Sequence, residues 1–219
     1  MLSQTEENYL KVLYNLISFR GEASVNEISK QLDIKMPTVN SMMKRLSEKG
    51  LVLYESYKPL KLTNEGKKIA ALIIRKHRLT EMYLVEKMGF GWEKVHEIAE
   101  QIEHIQSEAF FAKMDELLGY PKVDPHGSPI PDINGVLRSE TYIPLKDFNV
   151  GDKVVFMAVL HSSEDLLSYL NTKKLELGMI IAIIATESFE ESITIQYDNN
   201  KVETLTSKVS SKLLVKLIK

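Results

Sequence analysis

Apolar positions recur at helical spacing through the first part of the chain and at strand spacing through the last part. Tyr9, Leu10, Val12, Leu13, Leu16 and Ile17 predict a helix from Glu6 to Phe19, ended by Gly21. Ser24-Val-Asn-Glu27 is a capping box opening a helix over 25–32. Met36-Pro37-Thr38 opens another that runs to Glu48, with Pro37 in the first turn, where its missing N–H costs nothing. Two β-prone runs, 51–54 and 60–63, flank Glu55-Ser-Tyr-Lys-Pro59 and predict a hairpin wing after this helix-turn-helix. Asn64-Glu-Gly66 opens a long helix to about Met88, and a single further helix is expected over 92–118. Residues 120–144 are Pro-rich and linker-like. Short strands follow over 154–160, 178–185, 193–197, 201–205 and 213–218, with Asp198-Asn-Asn200 as a tight turn, and a small barrel fits them. The fold class is mainly α with β: a winged helix-turn-helix (1–63), a helical domain (64–140) and a small β-barrel (141–219).

Within the 92–118 helix, residues 95–105 carry two chemistries. At about 100° per residue, His96, Glu100, Glu103 and His104 fall within roughly one quadrant, opposite Val95, Ile98, Ala99, Ile102 and Ile105. Neighbours at i, i+3 and i+4 let Glu100, Glu103 and His104 converge on one divalent first-row ion. The competing reading is a solvated face opposite a core stripe. His77 and Glu81, at i, i+4 on the preceding helix, add to the metal reading, and Asp124-Pro-His126 offers further ligands from the Pro-rich segment. His96-Glu-x-x-Glu100 lacks the second histidine of a zincin motif, which weakens a metallohydrolase reading.

The helix that starts at Met36 has the chemistry of a DNA-recognition helix. Lys35, Pro37, Thr38, Asn40, Ser41, Lys44 and Arg45 supply small, hydrogen-bonding and cationic groups to one face, while Val39, Met42, Met43 and Leu46 face inward. Tyr57 and Lys58 at the wing tip are placed for phosphate or minor-groove contact. The aliphatic surface of the helices after Asn64 calls for a partner, and a homodimer matches a palindromic double-stranded operator.

The overall charge of −2 points to no partner, but residues 20–68 hold ten Lys/Arg against six Asp/Glu, which suits a phosphate-facing surface. With no cysteine, disulfides, zinc-thiolate sites and thiol nucleophiles are excluded. The polar, acidic start and the absence of a long apolar run lead to the expectation of a soluble cytoplasmic protein with no membrane association.

Thr5-Glu-Glu-Asn-Tyr-Leu10, Met36-Pro-Thr-Val39, Leu62-Thr-Asn-Glu-Gly66, Arg75-Lys-His-Arg78, Glu103-His104 and His126-Gly-Ser-Pro-Ile-Pro131 together resemble the diphtheria-toxin-repressor (DtxR) family of metal-dependent regulators, including its manganese-responsive MntR branch. The resemblance covers the whole chain and implies a three-domain member with an SH3-like third domain. It implies a homodimeric, metal-activated transcriptional repressor, not an enzyme, with no organic cofactor. It places Asn8, Glu100, Glu103 and His104 at a regulatory metal site and His77, Glu81 and His96 at a second one. To the latter it adds Asp124 and His126, with His161, Glu164 or Asp165 from the third domain. Asn8 departs from the family's usual Met or Asp, and Lys11 from the glutamate that bridges two ions in the manganese branch. Oxygen and imidazole donors without sulfur point to Mn(II), with Fe(II) as the alternative. A winged-helix regulator sensing a small organic ligand is the remaining rival.

Overall fold

A computed structural model describes residues 2–56, 58–138 and 140–218. The chain packs as two compact units: the first comprises Met1–Thr80, Ala99–Lys122 and Ile130–Arg138, the second Glu81–Ile98, Val123–Pro129 and Ser139–Lys219. The expected winged helix (1–63) lies wholly in the first unit, whereas the expected middle block (64–140) is divided between the two.

In the first unit, α1 (Gln4–Arg20), α2 (Val25–Leu32) and α3 (Met36–Glu48) start and stop where local chemistry dictates. Ser3 and Glu6 form a capping box on α1, and Gly21, at φ 82°, closes it. Ser24 and Glu27 repeat the capping box on α2, and Pro37 occupies the first turn of α3. Tyr9, Leu10, Leu13, Ile28, Val39, Met43 and Leu46 bury almost completely against one another, so apolar burial fixes how the three helices pack. The wing is shorter than the sequence runs suggest. β1 (Val52–Leu53) pairs antiparallel with β2 (Lys61–Leu62), while Leu60 N–H turns to the Ala23 carbonyl at 2.7 Å. α4 (Asn64–Met88) follows at once, and Gly66 permits it: a Cβ there would lie 2.0 Å from the Leu51 carbonyl oxygen.

The single helix expected over 92–118 is two helices, α5 (His96–Ile102) and α6 (Glu108–Leu117). Glu103 N–H still reaches the Ala99 carbonyl, but Ile105 N–H bonds Ile102 in a tighter turn and Ser107 caps α6. Glu103 and His104 therefore sit in a turn, not on a continuing helical stripe.

The second unit is built on an antiparallel sheet of six strands among the described residues, in the order β3-β8-β4-β5-β6-β7. The strands are β3 (Ile143–Pro144), β4 (Lys153–Val159), β5 (Ile180–Glu187), β6 (Ser192–Tyr197), β7 (Lys201–Leu205) and β8 (Leu213–Leu217). Register shifts between Phe156 and Ala158 and between Ile183 and Ala185 are the bulges that bend such a sheet into its SH3-like form. Asp198, Asn199 and Asn200 all take positive φ in the β6–β7 turn. Inward-facing Val154, Phe156, Ile181, Ile195, Leu213 and Val215 meet Leu167 and Leu170 of α7 (Glu164–Lys173), a helix not anticipated from the sequence although Ser163 caps it. A short α8 (Ser207–Ser210) precedes β8. No helix among the described residues is long and apolar enough to cross a membrane.

Candidate metal centres and a DNA-facing helix

The first unit brings α1, α4 and the turn after α5 onto one cluster. Glu103 is fully buried; its Oε2 lies 2.6 Å from His77 Nδ1 and its Oε1 2.7 Å from the Lys11 ammonium. Burial pushes the Glu103 carboxyl up, but the His77 hydrogen bond and the positive charges of His77 and Lys11 outweigh it and hold it below the ordinary carboxylate value. Lys11 also donates to Glu100 Oε1 at 3.2 Å. His104 is oriented by Glu7, whose Oε2 lies 2.6 Å from Nδ1 and whose Oε1 accepts from Gln106 at 2.9 Å. On the other side of the His104 ring, Nε2 faces Glu103 Oε1 at 3.7 Å. A carboxylate behind an imidazole is also the kind of supporting contact found behind metal-bound histidines.

Sequence reading placed Asn8, not Glu7, in this group. In the structure Glu7 is the α1 side chain that reaches His104, while Asn8 is half-buried one position on. At the helix N-terminus Glu7 looks like ordinary first-turn acid, so its partner 97 residues away has no local signal. His77, expected at the second site, has Nδ1 2.6 Å from Glu103 Oε2 and stands one turn before Glu81 on α4, in ligand reach of that carboxylate.

The second unit holds a separate cluster. Ligand atoms of Glu81, Asp124 and His126, all buried, lie within 4.8 Å of one another. His126 Nδ1 is 3.6 Å from Glu81 Oε2, and His96 Nδ1 is 3.3 Å from Glu81 Oε1. The Trp92 carbonyl accepts from His126 Nε2 at 2.8 Å, which turns Nδ1 toward Glu81. Asp124 Oδ1 accepts from the backbone N–H groups of His126 and Ser128, an Asx turn that sets the loop. Gly127, at φ 84°, lets this loop lie on β4: a Cβ would sit 2.1 Å from the Met157 carbonyl oxygen, while Val159 N–H bonds the His126 carbonyl at 2.8 Å. Burial pushes the His126 imidazole pKa down, but the Glu81 and Asp124 carboxylates outweigh it and the net direction is up. Trp92, which sequence reading passed over, stacks on His126 with ring centroids 5.9 Å apart and is anchored by an Nε1 hydrogen bond to Asn171 at 2.7 Å. A cleft in this unit is lined by Trp92, His96, His126, Ser163 and Glu164, so of the three third-domain candidates Glu164 shares a lining with the histidines. Glu164 also pairs with Lys94, and His161 and Asp165 are exposed.

On α3, Lys35, Pro37, Thr38, Ser41, Lys44 and Arg45 are exposed on the side opposite Val39, Met43 and Leu46. Asn40 is half-buried and accepts from the Tyr54 hydroxyl at 3.1 Å. Arg45 Nε bonds buried Glu6 at 2.9 Å, so this guanidinium is partly engaged within the protein. Lys58 is exposed and paired with Glu55 at 2.5 Å; Tyr57 lies outside the described residues.

Residues 1–60 match the family described as "Iron dependent repressor, N-terminal DNA binding domain", and residues 63–132 match "Iron dependent repressor, metal binding and dimerisation domain". The iron-dependent repressor IdeR of Mycobacterium tuberculosis is 35% identical over 132 residues, 60% of this chain and 57% of IdeR, so the match spans little more than half of that relative. The regulator MntR of Oceanobacillus iheyensis is 32% identical over 138 residues, 63% of this chain and 92% of that one. Among solved structures, a manganese-dependent transcriptional repressor in complex with manganese is similar over 97% of this chain and 100% of its own, at 26% identity and a TM-score of 0.89. The manganese regulator SloR is similar over 97% and 98%, at 30% identity and a TM-score of 0.78. The chain belongs to the iron-dependent repressor family, the DtxR/MntR group of regulators.

Proposed function

We propose that this chain is a metal-dependent transcriptional repressor that binds a palindromic duplex as a homodimer, with Mn(II) as its activating ion. The observation that carries this reading is that His104 Nε2 faces Glu103 Oε1 at 3.7 Å with Glu7 behind the imidazole, and that Lys11 joins Glu103 to Glu100, within the unit that also presents the exposed polar face of α3. Glu100, Glu103 and His104 are the ligands, Asn8 is the α1 ligand beside them, and Glu7 fixes the His104 ring. Glu81, His96, Asp124 and His126 form a second site, with Glu164 the third-domain side chain best placed to join it.

A bound divalent ion supplies positive charge that draws these carboxylates and imidazoles together. The chain's own residues do the rest. Glu7 and Asn8 belong to α1, which packs on α2 and through the shared core on α3, so ordering the first turn of α1 orders the support of the DNA-facing helix. Thr38, Ser41 and Lys44 on α3 read bases and phosphates, and Lys58 extends the contact from the wing. Exposed Ile105, Phe110 and Leu117 around α6 support a homodimer surface.

The second cluster and the residues proposed for the first, Asn8, Glu100, Glu103 and His104, offer oxygen and imidazole nitrogen and no sulfur, which supports Mn(II); the similarity to iron-dependent IdeR supports Fe(II) as the second reading. The test is chelated protein reloaded with one ion at a time, with affinity measured for a duplex selected from a random library by the Mn(II)-loaded protein. Mn(II) should activate at saturation; activation by anaerobic Fe(II) alone would overturn the assignment of the ion.

A further inference from the structure

Two consecutive acids on the first turn of α1 are buried and claimed by different elements. Glu6 is fully buried; its Oε1 accepts from Lys49 Nζ at 2.6 Å and Arg45 Nε at 2.9 Å, at the C-terminal end of α3. Its Oε2 accepts from the Ser3 N–H at 2.8 Å, completing the capping box. Glu7, the next residue, turns to His104 and Gln106. A buried carboxylate without its partners carries a heavy desolvation cost, so each of the two side chains is held firmly to its own partners. Successive positions differ by about 100° around a helix, so this turn is held from two sides at once. One side is the metal-ligand turn; the other is the end of the DNA-facing helix.

We propose that Glu6 is a positioning residue that couples the metal cluster to α3: the Arg45 and Lys49 clamp on Glu6 transmits the order of the Glu7–His104 side to the recognition helix. Arg45 accordingly serves the coupling as well as any phosphate contact. The inference rests on the metal-dependent reading above, and its failure is separable from the failure of that reading.

The experiment is amide hydrogen exchange on chelated protein with and without Mn(II), for wild type and Glu6→Gln, with Mn(II) affinity measured in parallel by calorimetry. In wild type, Mn(II) should slow exchange in both 4–8 and 36–48, the latter by about fivefold or more, the lower end of ordinary site-to-site coupling. In Glu6→Gln, protection of 4–8 and Mn(II) affinity should persist while protection of 36–48 is lost. Arg45→Gln combined with Lys49→Met removes the clamp from the α3 side and should give the same pattern, which covers a Glu6 variant that folds poorly. Full protection of 36–48 in these variants overturns the coupling role alone. Failure of Mn(II) to protect either segment in wild type overturns the metal reading together with it.

Discussion

Lys11 reaches the same two carboxylates that Glu100 and Glu103 offer to an ion, at 3.2 and 2.7 Å. Its side chain is 12% exposed and that of Glu103 is 0%, so this is a largely desolvated pair, and under the proposed function the ammonium would compete with a divalent cation for the same oxygens. Lys11→Met should lower the stability of chelated protein by about 1.5–3 kcal/mol, the usual worth of a hydrogen bond to a charged group, and tighten Mn(II) binding. Denaturant unfolding with and without Mn(II) checks both. Weaker Mn(II) binding in the variant would mean that Lys11 supports the ligands instead of competing for them.

Glu7 and Asn8 are distinguishable as well. If Glu7 orients His104, Glu7→Gln should weaken Mn(II) binding about 10–100-fold, the usual cost of losing a partner behind a metal-bound imidazole. Asn8→Ala should also weaken binding, by removal of a ligand oxygen. Calorimetry in a His126→Ala background, which isolates the first cluster, ranks the two; an unaffected Glu7 variant would remove Glu7 from the account.

Much of the first unit was legible because its signals are local. Ser24/Glu27 and Pro37 mark helix starts within a few residues, while the Ser3/Glu6 box that starts α1 at Gln4 was passed over, and the apolar positions of α1 and α3 fall on the buried face as periodicity requires. The break after α5 was hidden because Ile98, Ile102 and Ile105 keep helical spacing straight across it, leaving Ser107 as the single local marker. Glu100, Glu103 and His104 stand out by helical spacing in the sequence, but Glu103 and His104 lie in the turn after α5, so that spacing is not what arranges them. Glu7, Lys11 and Trp92 acquire roles only through contacts 34 to 97 residues away in sequence. α7 was missed although Leu167 and Leu170 stand one turn apart behind a serine cap, because the surrounding strand signals dominated.

The second cluster carries its own reporter. Trp92 is the single tryptophan of the chain and stacks on His126. Mn(II) binding at Glu81, Asp124 and His126 should therefore quench tryptophan emission, and His126→Ala should abolish that transition while leaving the heat of binding at the first cluster. Quenching that persists unchanged in His126→Ala would place the ion elsewhere.

Gly127 supports this cluster through backbone geometry. Gly127→Ala forces a side chain into positive φ and against the Met157 carbonyl, which should cost about 1–3 kcal/mol from strain of this kind. The variant should melt at lower temperature and lose the Mn(II)-dependent change in Trp92 emission. Wild-type melting together with wild-type quenching would contradict the tight approach of this loop to β4.

On α3, Lys44 is the cleaner probe of phosphate contact, because Arg45 is engaged with Glu6. Lys44→Ala should weaken duplex binding and reduce the slope of log affinity against log salt by about 0.9, one counterion's share. A slope equal to that of wild type would turn Lys44 away from the DNA.

The central claim is that duplex binding depends on an ion held by Glu103 and His104. Its most direct test is the affinity of chelated and Mn(II)-loaded protein for the selected duplex, measured side by side for wild type, Glu103→Ala, His104→Ala and the control Glu97→Ala. Mn(II) should raise affinity in wild type and Glu97→Ala, and should leave the other two at the chelated level although they remain folded dimers. Equal affinity of chelated and loaded wild type, or full Mn(II) activation of Glu103→Ala, would contradict the account.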